Sequence, residues 1–82
     1  MAATDREPRF LTLADVAEIL ATSTAQVYAL VRRGDLRALK IGGRGQWRVE
    51  AVELEAFIAR MYEQTEAETA RARESDRAAG IE

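Results

Sequence analysis

The stretch Ser23-Thr24-Ala25-Gln26-Val27-Tyr28-Ala29-Leu30-Val31-Arg32-Arg33-Gly34 decides how the rest of the chain is read. A serine oxygen accepts from a free amide two or three residues on, so Ser23 is a good N-cap. Val27, Leu30 and Val31 then recur at the spacing of one helical face. Gly34 can close the element at positive φ, and Arg32 and Arg33 suit the negative end of the helix dipole. Thr24 to Arg33 is therefore expected to be a short helix with one buried stripe.

Upstream, Thr12 and Asp15 form a T-x-x-D capping arrangement. Leu13, Val16, Ala17 and Leu20 follow at helical spacing, with Ile19 on the edge of the stripe and Asp15 and Glu18 outward. That helix should end near Ala21. Two short helices separated by about three residues have the spacing of a helix-turn-helix. Downstream the period falls to two: Leu39 and Ile41 alternate with Ala38 and Lys40, Gly42-Gly43-Arg44-Gly45 supplies a turn, and Trp47 and Val49 alternate with Gln46 and Arg48. A β-hairpin is expected over Lys40–Arg48. A third helix from about Ala51 carries Leu54, Phe57, Ile58, Met61 and Tyr62 on one face. The predicted fold is mostly α with a small β-hairpin: helix-turn-helix, two-stranded wing, C-terminal helix.

This order divides the 82 residues into a flexible arm over 1–9, one domain over 10–64, and a polar tail over 65–82. The chain is long enough for a single small core. After Thr65 the apolar stripe gives way to Glu68, Thr69 and Ala72, although Glu68, Arg71, Glu74 and Arg77 recur every third residue. Without burial such a helical extension is expected to fray or be disordered.

Composition removes several classes of function. Cysteine and histidine are both absent, so thiolate nucleophiles, imidazole bases and the usual zinc ligands are missing. No enzyme activity, cofactor, metal or small-molecule effector is expected. The N-terminus carries alternating charges and no apolar run, which points to the cytoplasm, in association with the nucleoid, and to no membrane partner. Arg33-Gly34-Asp35 is accounted for by a helix cap, and the Gly42–Gly45 cluster lacks the Gly-Lys-Ser/Thr end of a phosphate loop. Glu50, Glu53 and Glu55 suit the start of the third helix, where its dipole favours acids.

Formal charge is −2 overall, yet residues 24–49 hold six basic side chains and one acid, while 50–82 hold four arginines and nine acids. Positive charge is thus concentrated over the second helix and hairpin, the electrostatic pattern of a nucleic-acid surface. On a helical wheel Ala25, Tyr28, Ala29, Arg32 and Arg33 face outward with Gln26 at the margin. Gln26 can pair with an adenine edge, Ala25 or Ala29 can touch a thymine methyl, and Tyr28, Arg32 and Arg33 can reach phosphates. With Thr24 at the helix start and Lys40, Arg44 and Arg48 on the hairpin, these form the candidate DNA-binding set. Arg44, between glycines, suits a minor groove or a phosphate run. Trp47 is expected to seal the wing against the helices.

The run Leu11 to Leu20, then Ser23, Val27-Tyr28, Arg33 to Leu36, Lys40-Ile41-Gly42 and Trp47-Arg48-Val49, resembles the excisionase-like helix-turn-helix family over about residues 10–62. These domains are similar to the DNA-binding part of MerR-type regulators, and the family includes phage recombination directionality factors and small transcription regulators. The resemblance implies double-stranded DNA as partner. Where family members commonly carry arginine at the centre of the recognition helix this chain has Ala29, and it lacks the coiled coil and cysteine-bearing effector region of full MerR-type sensors. Specificity is then expected to lean on Gln26, the wing and DNA shape.

A transcription regulator or architectural protein is the leading reading, with a phage-type excisionase as its alternative and a homodimer or head-to-tail array on DNA as its working form. The reading from another class is a protein-interaction module whose acidic C-terminal segment docks a basic partner. If about four to six basic side chains neutralise phosphates, log affinity falls against log salt with a slope of about −4 to −5 per protomer.

Overall fold

A computed structural model describes residues 9–78. Strand β1 (Phe10–Leu11) leads into helix α1 (Leu13–Leu20), followed by α2 (Thr24–Arg33), strands β2 (Leu39–Ile41) and β3 (Gln46–Glu50), and helix α3 (Ala51–Ala78). The arrangement is a mostly helical winged helix-turn-helix.

Each short helix is closed by local chemistry. The Thr12 hydroxyl accepts from the Asp15 amide at 2.9 Å, and the Asp15 carboxylate accepts from the Thr12 amide at 3.0 Å, a reciprocal capping box. Ser23 caps α2 by accepting from the Gln26 amide at 3.1 Å. Gly34 ends α2 at φ 83°, as its sequence position implies, and α1 ends on Ala21 at φ 57°. Alanine carries a Cβ penalty in that left-handed region, so the tight turn into α2 holds it there.

The sheet has three antiparallel strands in the order β1-β3-β2. Phe10 lies opposite Glu50 and Leu11 opposite Val49, while Lys40 pairs with Trp47 across the wing. The β2–β3 pair is the two-stranded wing that the sequence predicts, and β1 adds a strand on the other edge of β3. Two residues are too few to establish an alternating pattern, which is why β1 has no signature of its own. Residues 1–8 of the expected flexible arm lie outside the described residues. Arg9 is anchored, because its side chain pairs with Glu50 at 2.8 Å and its carbonyl accepts from the Ala51 amide at 2.7 Å.

The core gathers Leu11, Val16, Ala17, Val27, Val31, Leu36, Val49, Leu54 and Phe57, with Trp47, Ile58 and Met61 packed at its edge. Its members come from both helices of the motif, the sheet, the first turns of α3 and, with Leu36, the loop between α2 and β2. Leu39 and Ile41 do not join it; they are 42% and 47% exposed, on the outer side of β2. The alternation holds in period, and Lys40 takes the Trp47 side of the wing while Leu39 shares a side with Arg48. Tyr62, placed by sequence on the apolar stripe of α3, is 67% exposed.

Helix α3 passes beyond Thr65 without interruption to Ala78, over most of the polar segment. Every residue from Tyr62 to Asp76 is exposed, so this half projects from the domain. It accounts for overall dimensions of 58 × 31 × 17 Å.

Candidate nucleic-acid interface

Burial of Val27 and Val31 fixes the rotation of α2 and turns its other side outward. Thr24, Ala25 and Gln26 are exposed on its first turn. Tyr28 is 40% exposed, and Arg32 and Arg33 are exposed on the last turn. Ala29, expected to face out, is half-buried, which leaves less methyl surface for a thymine than the wheel implied.

Tyr28 belongs to a cluster that joins helix to wing. Its ring meets Trp47 edge-on, with centroids 6.5 Å apart and planes at 67°. The Arg32 guanidinium lies 5.7 Å above the Tyr28 centroid, and the Lys40 ammonium lies 5.4 Å from the Trp47 centroid. Ring faces carry negative electrostatic potential and attract cations. Lys40 reaches Trp47 because the two are cross-strand partners on one face. The result is a run from Arg32 through Tyr28 and Trp47 to Lys40, with a cation at each end.

Trp47 is the part of this arrangement that sequence reasoning did not assign to the site. It is half-buried and packs on the core, as the sealing role predicts, and it also positions Tyr28 and Lys40. Alternation with buried Val49 indicates that Trp47 faces inward; its contact with Lys40 follows from strand register and that with Tyr28 from the packing of α2, neither of which sequence discloses.

Other predicted site residues are separated from the run. Arg33 folds onto Asp35, with Nε and Nη2 both donating to one carboxylate oxygen at 3.0 and 2.8 Å. Arg48 is half-buried, donates to the Trp47 carbonyl at 2.8 Å, and lies on the strand face opposite Trp47 and Lys40. There it lines a hollow with Arg37, Leu39, Glu50 and Glu53. Arg37 pairs with Glu53 at 3.3 Å. Arg44 is exposed in the turn between β2 and β3, flanked by Gly43 and by Gly45 at φ 71°. Arg32, Lys40 and Arg44 have no carboxylate partner among the described residues.

Among the described residues no group of histidine, cysteine, aspartate or glutamate could hold a metal, and no helix is long and apolar enough to cross a membrane. No curated protein and no solved structure matches the chain. A family model described as a helix-turn-helix domain matches residues 10–62, from the first strand to the point where α3 leaves the core. By that match the chain belongs to the helix-turn-helix domain family, a family of excisionase-like small DNA-binding domains.

Proposed function

We propose that residues 10–64 form a DNA-binding unit that sets the first turn of α2 into a major groove and the wing against the adjacent backbone. The supporting observation is the single run of Arg32, Tyr28, Trp47 and Lys40, which joins the exposed side of α2 to the wing. Such a run holds two cations at a fixed separation, and phosphates are spaced regularly along a duplex. Thr24, Ala25 and Gln26 meet base edges, with Gln26 the one side chain able to pair bidentately with adenine. Arg44 enters the neighbouring minor groove or follows its phosphates.

With few base-specific groups on α2, affinity is mostly electrostatic and sequence preference comes largely from DNA shape. This favours an architectural protein or a regulator of broad occupancy over a switch acting at a single operator. Arg33 and Arg48 are engaged within the domain, so the expected phosphate count is lower than a tally of basic residues suggests. Three cations, Arg32, Lys40 and Arg44, give a slope of log affinity against log salt of about −3 per protomer. Fluorescence anisotropy on duplex DNA across a salt series measures it. A salt-independent dissociation constant, or unchanged DNA retention by the Arg32→Ala, Lys40→Ala double variant, would sink the proposal in favour of a module that binds protein.

A further inference from the structure

Two hollows follow one another between α1 and α3, of about 520 and 240 Å³. Buried Leu11 and Leu54 lie at the base of the first, beside exposed Ile19, and the exposed acids Asp15, Glu18 and Glu55 surround it. Leu20, Ile58 and Met61 line the second, which carries no charged residue. No basic side chain lines either hollow. Ile19 is 55% exposed, apolar surface that gains from being covered.

The three acids differ in freedom. The Asp15 carboxylate accepts from the Thr12 amide in the cap of α1, whereas Glu18 on α1 and Glu55 on α3 make no ion pair among the described residues. One uncompensated carboxylate therefore stands on each helix that bounds the first hollow, beside apolar surface. Such a surface repels phosphates, and none of the residues assigned to DNA lines it. Along α3, Ile58 and Met61 follow Leu54 at four and seven residues, so apolar positions continue for about 10 Å. That is the i, i+4, i+7 spacing at which an amphipathic helix presents its own anchors to a groove.

We propose that this groove docks an amphipathic helical segment of another protein, with leucine-like side chains on one face flanked by lysine or arginine. The apolar face covers Ile19 and fills the space over Leu54 and Ile58, while the basic side chains meet Glu18 and Glu55. Charge selects this occupant. The projecting half of α3 from a second copy carries five acids against three arginines over residues 62–78, an excess that disfavours it beside Glu18 and Glu55. The domain can then hold DNA through α2 and the wing and a protein through α1 and α3. Docking itself does not depend on the DNA reading, because the two sets of residues are separate.

The probes are fluorescein-labelled lysine–leucine peptides with leucines at i, i+4 and i+7, made in both chain directions, and a control of the same composition whose leucines fall on no single face. Anisotropy titration with the full chain is expected to show micromolar binding of a patterned peptide and about tenfold weaker binding of the control. Glu18→Lys with Glu55→Lys should weaken the patterned peptide roughly tenfold. The same variant should come to prefer a glutamate–leucine peptide of that pattern, a gain that misfolding would not produce. Ile19→Asp, at an exposed position, should weaken binding by a similar factor. Glu66→Gln with Glu68→Gln and Glu74→Gln should leave affinity within about twofold, since these acids do not line the groove. Failure of both patterned peptides, equal binding of the control, or indifference to Glu18→Lys with Glu55→Lys would each overturn the proposal. So would a wild-type dimer that Ile19→Asp dissociates, which would make a second copy the occupant.

Discussion

Arg32 and Arg33 are adjacent on the last turn of α2, yet their surroundings differ. Arg32 rests over the Tyr28 ring with its charge uncompensated among the described residues, whereas Arg33 is held by two hydrogen bonds to Asp35. Releasing Arg33 toward a phosphate means breaking that pair, so its net contribution to binding is smaller. Arg32→Ala is expected to weaken DNA binding by about 1.5 kcal/mol and to make the salt slope less steep by about one. Arg33→Ala should change affinity several-fold less, as anisotropy titrations of both variants at one salt concentration will reveal. Sequence makes both arginines visible but says nothing of which is already paired, because Asp35 reaches back only once Gly34 has turned the chain. The same limit applies to Lys40 and Arg48. Both are basic residues of the wing, and the register alone sends one toward Trp47 and the other toward Glu50 and Glu53.

At the scale of elements, α1, α2 and the start of α3 follow closely from caps and apolar spacing. Thr12, Ser23 and Gly34 announce their roles because hydroxyl oxygens and a missing Cβ act locally, within the few residues that sequence places together. Ala21 is the exception: it occupies the left-handed region at φ 57°, where nothing about alanine advertises a cap. Ala21→Gly is expected to stabilise the fold by about 0.5–1 kcal/mol, the relief of Cβ strain exceeding the added chain entropy. Urea denaturation followed by Trp47 fluorescence measures this, and a loss of stability would show that Ala21 is not strained. Strand β1 escapes notice for a different reason. Its two residues owe their extended form to pairing with Glu50 and Val49, far along the chain, and to the Arg9 contacts that precede them. Helix α3 likewise extends further than its apolar stripe, since Glu66 to Ala78 keep helical geometry while making no contribution to the core.

For the molecule as a whole, the separation between core and projection has a direct thermodynamic consequence. Every core residue lies between Leu11 and Phe57, so removing residues 66–82 should leave the stability of the monomer unchanged within about 0.5 kcal/mol. Urea denaturation of the full and shortened chains checks this. A larger loss would mean that the projection supports the domain directly. Charge divides within the domain itself: α2 and the wing are basic, while Asp15, Glu18 and Glu55 gather around a hollow between α1 and α3. The net charge of −2 conceals this polarity, which steers the basic face toward an anionic partner.

By itself the sequence determined the order of elements, the ends of α1 and α2, the start of α3, the position of the wing and the concentration of basic residues over one region. All of these rest on capping groups and periodicities that operate over a few neighbouring residues. Only the tertiary structure decided that a third strand completes the sheet, that Leu39 and Ile41 face out, and that Arg32, Tyr28, Trp47 and Lys40 form one run while Arg33 and Arg48 do not. Those outcomes depend on strand register and on how α2 packs beside β3. Both are set by burial of Val27, Val31 and Val49 in a common core, a long-range competition for apolar contact that local spacing does not encode.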